Sequence, residues 1–243
     1  MEPRLNRLLQ SKQTLGHGLG YEAGQDAAVA PAAQKVLRNT YLLLALTMVP
    51  TFIGALLGME TSAFVMKHPT ASTLVMLGGV IGLQYGIAAN RDRGMGVAML
   101  LLMTGVLGWW LGPILNFALK LSNGMQLVGY AAGGTAVIFF AMGAIATTAR
   151  RDFSFMGKFL FVGMIAALIA MIANLWLQIP ALALTISTLV IVVFSLFLLY
   201  DLNRIVRGGE TNYVMAATGV YMSLYNIFAN LLMLLMALTG NRR

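Results

Sequence analysis

The sequence predicts an all-α protein that crosses a membrane several times, and three observations support this fold class. The chain has 243 residues, of which 59% are hydrophobic and 10% charged, and its mean hydropathy is +0.80. Several uncharged runs are long enough, at about 1.5 Å per residue, to cross a hydrocarbon core of about 30 Å as helices. These runs also lack the alternation of apolar and polar residues that is typical of membrane β-barrel strands.

Seven apolar spans follow a polar N-terminal segment. Residues 1–36 show no helical periodicity, so we predict a mobile tail that precedes a membrane domain over residues 37–243. The seventh span is the least apolar, because it holds Ser223, Asn226 and Asn230. The predicted spans cover residues 40–58, 71–89, 95–115, 127–149, 159–177, 181–200 and 214–238.

The distribution of basic residues predicts how the chain is oriented. Twelve of the 16 Lys and Arg residues fall on the side of the N-terminus, and such residues are retained in the cytoplasm during insertion. The sequence therefore predicts a cytoplasmic N-terminus and an external C-terminus. Arg242 and Arg243 oppose this rule and leave a six-span arrangement, with a re-entrant last segment, as the alternative. The net charge of +8 indicates orientation in a lipid bilayer, and no nucleic-acid partner is expected.

Glycines spaced four residues apart recur in most spans. This spacing lets helix backbones approach closely, so it predicts tight packing between spans. The residues concerned are Gly54 and Gly58, then Gly78, Gly82 and Gly86, then Gly108 and Gly112, and finally Gly129 and Gly133.

The inventory of reactive side chains argues against an enzyme. The two histidines, His17 and His68, lie in the tail and in a predicted external loop, so they cannot form an intramembrane Ser–His pair or a histidine-rich metal centre. Cysteine is absent, which excludes thiol nucleophiles and thiolate metal sites. We expect no enzymatic activity and no cofactor, and the residues leave open whether a metal ion binds.

Charged residues are concentrated in LYDLNRIVRGGETNYV, residues 199–214, between the sixth and seventh spans. A charge within a bilayer costs at least a few kcal/mol, so Asp201 is a candidate site residue. Two interpretations stay open: a carboxyl group inside the bundle, or a pair with Arg204 at a helix end. Gly208 and Gly209 predict a tight turn before Glu210, after which Thr211 or Asn212 is able to cap the next helix.

One face of the seventh span is polar. Ser223, Asn226 and Asn230 are three and four residues apart, which places them on the same side of a helix. Hydrogen bonding between helices and the lining of a permeation path are both consistent with this face. With Asp201 they form a candidate proton or ion site, with Arg204 and Glu210 as candidates for an ion pair or a gate.

The loop between the fourth and fifth spans is the second polar feature. It begins Arg150-Arg151-Asp152-Phe153 and continues through Phe155 to Lys158. Two interpretations stay open: a basic anchor whose Phe and Met residues lie in the membrane interface, or a loop that binds a partner. Arg150, Arg151, Asp152 and Phe153 are the partner-binding candidates.

Several segments together resemble the Bax inhibitor-1 family, and within it the bacterial YccA branch, which modulates the membrane protease FtsH. The resemblance covers the chain from about residue 35 to its end. It is carried by KVLRNTYLLLALT at 35–47, LGPILN at 111–116, GGTAVIFF at 133–140, RRDFSFMG at 150–157, ANLWLQIPAL at 173–182 and GGETNYVMAATGVYMSLYNIF at 208–228.

The resemblance implies a fold in which six helices surround the seventh. It also implies an inner-membrane protein, with its C-terminus in the periplasm, that binds FtsH and inhibits its proteolysis of membrane proteins. The alternative function is a pH-sensitive leak of calcium or another cation through Asp201 and the polar face of the seventh span. Family members described as such channels use two aspartates that share a proton. Ser223 stands at the second aspartate position, and a serine cannot supply that carboxylate.

Overall fold

The computed structural model describes the backbone of residues 2–149 and 152–240 and the side chains of residues 31–149 and 152–239. Within this part of the chain all regular secondary structure is α-helical, which confirms the predicted fold class. The helices are α1 (Glu2–Glu60), α2 (Ser62–Lys67), α3 (Pro69–Ala89), α4 (Gly94–Leu119), α5 (Gly124–Thr148), α6 (Met156–Leu177), α7 (Pro180–Val206) and α8 (Tyr213–Gly240).

Seven of these helices are long and apolar enough to cross a membrane, namely all except the six-residue α2. The first span is the Pro31–Glu60 part of α1, and α8 is the seventh. Helix α8 packs against α7, α5, α1, α4 and α3, while α6 packs chiefly on α7. The main apolar core includes buried Leu198 and Leu202 of α7 together with buried Ala217 and Val220 of α8.

The backbone of α1 is helical from Glu2, whereas the sequence predicted an irregular segment up to residue 36. Alanines on both sides of residue 30 favour helix and account for part of this difference. Side chains before Pro31 lie outside the described part of the chain. The mobility of this segment and its cytoplasmic location stay predictions.

Helix α7 extends six residues beyond the predicted end of the sixth span at residue 200. Asp201 and Arg204 therefore lie in its last two turns, together with Asn203, which is 1% exposed. The chain then reverses through Gly208, whose φ of 73° suits a residue without a side chain. The turn brings Glu210 back to the C-terminal end of α7, where its backbone N–H donates to the carbonyl oxygen of Arg204 at 3.2 Å.

The glycine prediction is confirmed for one pair of spans and wrong for others. Added Cβ atoms at Gly54 and Gly58 would overlap the backbone of α4, and those at Gly108 and Gly112 would overlap α1. Four glycines with the same spacing have no heavy atom within 4 Å of such a Cβ, since they are exposed; these are Gly78, Gly82, Gly129 and Gly133. A Cβ on Gly86, the third glycine of the α3 series, would lie 2.9 Å from the sulfur of the Met99 side chain in α4.

Candidate functional site

A cavity of about 180 Å³ lies where the ends of α7 and α8 meet α3, at the predicted cytoplasmic end of the bundle. Its polar lining combines three charged side chains with an amide and a hydroxyl group. Because three helices and a turn contribute to it, the cavity depends on the folded bundle rather than on one sequence motif. It is lined by Gln84, Asp201, Arg204, Glu210, Met215, Ala216, Thr218 and Gly219.

The carboxylate of Asp201 rests against the backbone of α8 at Gly219. A Cβ placed on Gly219 would lie 2.6 Å from Asp201 Oδ2 and 3.1 Å from its Cγ. Such a distance is shorter than real side chains tolerate, so the absence of a side chain at residue 219 lets the carboxylate reach this position. The contact places Asp201 on the interior side of α7, which agrees with the first of the two interpretations from the sequence.

Arg204 closes the cavity on the side of the α7–α8 turn. Its Nη2 donates to Glu210 Oε2 at 3.2 Å and to the carbonyl oxygen of Gly209 at 3.3 Å. Its guanidinium carbon also lies 5.6 Å from the centre of the Tyr200 ring, a cation–π contact. The salt bridge of Arg204 is thus with Glu210 rather than with Asp201.

Glu210 supplies the cavity with a second carboxylate. The sequence suggests that Asp201 is alone, because Ser223 stands at the family's second aspartate position. The structure instead brings Glu210 to the same cavity from the opposite side of the Gly208-Gly209 turn. The double glycine was the available sequence signal, since a tight turn returns the next residues toward the preceding helix.

The polar face of the seventh span does not line this cavity. Ser223 is 1% exposed and lies one turn beyond Gly219 on α8. The amide groups of Asn226 and Asn230 donate to the carbonyl oxygens of Met222 and Asn226, at 2.8 and 2.9 Å. Asn226 is seven residues beyond Gly219, about 10 Å along the helix. The structure therefore brings Asp201, Arg204 and Glu210 together and places the two asparagines elsewhere.

Asn212 connects the α7–α8 turn with the α3–α4 loop. Its Oδ1 accepts from the backbone N–H groups of Val214 and Met215, at 3.0 and 3.1 Å, which confirms Asn212 as the N-cap of α8. Its Nδ2 donates to Asp92 Oδ1 at 2.8 Å. The backbone N–H of Asn212 donates to Glu210 Oε1 at 3.0 Å, so a chain of polar contacts leads from the cavity to a second loop.

Asn203 holds the loop between α5 and α6. Its Oδ1 accepts from the backbone N–H of Phe153 at 3.2 Å, and its Nδ2 donates to the carbonyl oxygen of Ala146 at 3.4 Å. One turn later, Arg207 donates to the carbonyl oxygen of Ala149 at 3.3 Å. The end of α7 therefore caps α5 and positions the loop, a role that sequence reasoning did not assign to Asn203.

The loop carries the predicted partner-binding residues. Hydrogen bonds from the side chain and backbone of Ser154 hold the pKa of the exposed Asp152 carboxyl below its ordinary value. The backbone N–H of Ser154 lies 2.8 Å from Asp152 Oδ1. Phe153 packs against the core and Phe155 is 78% exposed. Arg150 and Arg151 lie outside the described residues.

Two further polar residues of the cavity, Gln84 and Thr218, were missed from the sequence. Gln84 is the lone amide within the apolar run of α3, and this isolation was a usable signal. Within the described part of the chain there is no cluster of three or more His, Asp or Glu residues able to hold a metal ion.

This chain is similar to known proteins over nearly its whole length. The family model "Inhibitor of apoptosis-promoting Bax1" matches residues 33–241. The "Modulator of FtsH protease YccA" of Escherichia coli K12 is 41% identical over 213 residues, which cover 88% of this chain and 94% of that protein. The same match is found for the "Inner membrane protein YccA" of Escherichia coli strain CFT073. An uncharacterized protein of Neisseria meningitidis serogroup A is 37% identical, over 84% of this chain and 92% of its own length. This polytopic membrane protein therefore belongs to the Bax inhibitor-1 family.

Proposed function

We propose that this protein resides in the bacterial inner membrane, binds the FtsH protease and inhibits its proteolysis of other membrane proteins, without a reaction of its own. The observation that carries the proposal is the 41% identity, over 94% of its length, to a protein named as a modulator of that protease. The similarity extends across all the spans, so it does not reflect one shared segment.

Helix α1 supports a mode of binding. It begins at Glu2, and its membrane-spanning part begins at Pro31. The intervening residues give an ATP-driven protease a segment to hold outside the membrane. Once it is held, a bundle of seven packed spans resists extraction and so occupies the protease.

The α5–α6 loop is the proposed partner-binding surface. Arg150, Arg151, Asp152 and Phe153 belong to it, and the backbone N–H of Phe153 donates to Asn203 of α7. A backbone that is already held at Phe153 loses less conformational entropy at this residue when a partner binds.

Two measurements test the proposal together. The full-length tagged protein, solubilised from native membranes in mild detergent, should retain FtsH through purification. Raising its level in cells should lengthen the half-life of a known membrane substrate of FtsH, while a cytoplasmic protein degraded by another protease serves as the control. Loss of FtsH from the purified material, together with unchanged substrate decay, would contradict the proposal.

The second candidate function is a pH-sensitive leak of calcium or another cation. The observation in its favour is the cavity that contains the carboxylates of both Asp201 and Glu210, since hard cations prefer oxygen ligands. Ca²⁺ flux into liposomes, measured at two pH values for the wild type and for Asp201→Asn, tests this function. Glu60→Gln is the matched control, because Glu60 is exposed at the end of α1, is not among the residues that line the cavity, and undergoes the same change from carboxylate to amide. Flux no greater than in empty vesicles would leave binding as the function.

A further inference from the structure

Helices α1 and α4 pack backbone against backbone through glycines on both sides. A Cβ on Gly54 would overlap the carbonyl oxygen of Gly105, and one on Gly58 would overlap that of Trp109. From the other side, added Cβ atoms on Gly108 and Gly112 would overlap α1. Both glycines of α1, Gly54 and Gly58, lie in the last eight residues of the helix, at the end farthest from the N-terminus.

Hydrogen bonds in the bundle core reinforce the same part of α1. The hydroxyl groups of Thr51 and Tyr221 lie 2.8 Å apart, and Tyr221 also donates to the carbonyl oxygen of Thr104 at 3.3 Å. Tyr221 is 2% exposed, so these bonds are shielded from competing water. The contact joins α1, α4 and the central α8.

Two more side chains of α4 hold the end of α1. Trp109 Nε1 donates to Thr61 Oγ1 at 2.7 Å. Asn116 Nδ2 donates to the carbonyl oxygen of Met59 at 2.9 Å and to Ser62 Oγ at 2.8 Å. These bonds reach past the C-terminus of α1 to Thr61 and to the first residue of α2, and every one of them must break before α1 moves along its axis.

The glycine positions also oppose a gradual slide. Moving α1 toward its N-terminus along its own helical path by one residue, a rise of about 1.5 Å, brings Ala55 and Met59 to the positions that Gly54 and Gly58 now occupy. At these two positions a Cβ overlaps the carbonyl oxygens of Gly105 and Trp109 of α4. Since cores repack poorly around such overlaps, α1 must leave α4 as a unit rather than move in steps.

We propose that this α1–α4 contact, over residues 51–62 and 105–116, determines whether the protease extracts the chain from its N-terminal end. The inference rests on the proposed binding of FtsH. Because the contact lies at the far end of the first span to be pulled, it is the last part of α1 to yield. With an intact contact, the chain stays bound to the protease and is degraded slowly. With a weakened contact, it is extracted and degraded like other substrates.

The test compares glycine substitutions that differ only in their surroundings. Gly58→Ala and Gly108→Ala place a methyl group in the contact, while Gly78→Ala and Gly82→Ala place one in α3, where no heavy atom lies within 4 Å. The half-life of the full-length chain is measured in cells with active and with inactive FtsH. We expect the contact variants to decay at least about threefold faster than the wild type, only where FtsH is active, and the α3 variants to decay like the wild type.

Tyr221→Phe extends the test to a variant that keeps all the glycines. It removes only the hydrogen bonds to Thr51 and Thr104, and it should give an intermediate half-life. Contact variants with the wild-type half-life, although FtsH still co-purifies with them, would overturn the inference and leave the proposed function standing. Equally fast loss with inactive FtsH would also overturn it, because that decay reflects general misfolding. Failure of the wild type itself to retain FtsH would refute the proposed function, and the inference with it.

Discussion

The carboxylate of Asp201 occupies space that any side chain at position 219 would fill, since a Cβ on Gly219 would lie 2.6 Å from Asp201 Oδ2. One glycine on α8 thus determines where an acidic residue of α7 can reside. Both residues also line the cavity. A small change at residue 219 should therefore act mainly on residue 201.

Gly219→Ala is expected to destabilise the bundle by about 1–3 kcal/mol, because the added methyl group displaces the Asp201 carboxylate from a packed position. Thermal unfolding in detergent measures the change. Gly143→Ala is the matched control, since its Cβ would meet Leu202 Cδ1 at an ordinary 3.8 Å. Combining Gly219→Ala with Asp201→Ala should restore part of the loss, as expected for residues in contact. Strictly additive effects would show that the two residues do not interact.

Asn203→Ala should cost about 1–3 kcal/mol and loosen the α5–α6 loop, because it leaves the partly buried N–H of Phe153 and the carbonyl oxygen of Ala146 without this partner. Limited proteolysis of the loop is the direct measurement. Asn226→Ala is the control, since its amide bonds within its own helix, to Met222. Equal loop protection in both variants would contradict the role assigned to Asn203.

The sequence was sufficient for the spans but not for their ends. Hydropathy located all seven helices, because about 20 apolar residues in a row have few alternatives in a bilayer. It ended the sixth span at residue 200, since Asp201, Asn203 and Arg204 are polar. In the folded chain Asp201 lines the cavity, Asn203 accepts from the α5–α6 loop and Arg204 pairs with Glu210 of the α7–α8 turn, and the helix continues to Val206.

The composition of the cavity depends on which spans are neighbours, and sequence periodicity does not encode that information. Gln84 lines the same cavity as Asp201 only because α3 lies beside α8. The glycines show the same limit. Gly54 and Gly129 occur in the same four-residue pattern, but one meets a partner helix and the other faces away from the bundle. A pattern of small residues predicts the capacity for close packing and not the presence of a partner.

Asp152 should titrate below its ordinary value of 3.8, because the side chain and backbone of Ser154 both donate hydrogen bonds to its carboxylate. Since the pKa of Asp152 is lower in the folded than in the unfolded chain, the ionised carboxylate stabilises the fold, and this stabilisation is complete above pH 3.8. It is lost as the pH falls through the folded-state value. The pH dependence of the carboxyl carbon chemical shift, assigned with Asp152→Asn, measures the midpoint. Ser154→Ala should raise it, and a wild-type midpoint at or above 3.8 would contradict this account.

Asn212→Ala should destabilise the protein by about 1 kcal/mol or more, because the side chain both caps α8 and donates to Asp92. Asn212→Ser separates the two roles, since serine retains the cap but does not reach the α3–α4 loop. Asn212→Asp keeps the cap as well, but it places a carboxylate 2.8 Å from Asp92 in the position of a donor. The unfolding temperature of Asn212→Ser should be higher than those of Asn212→Asp and Asn212→Ala. An unfolding temperature of Asn212→Ala equal to that of the wild type would mean that neither the cap nor the loop contact stabilises the bundle.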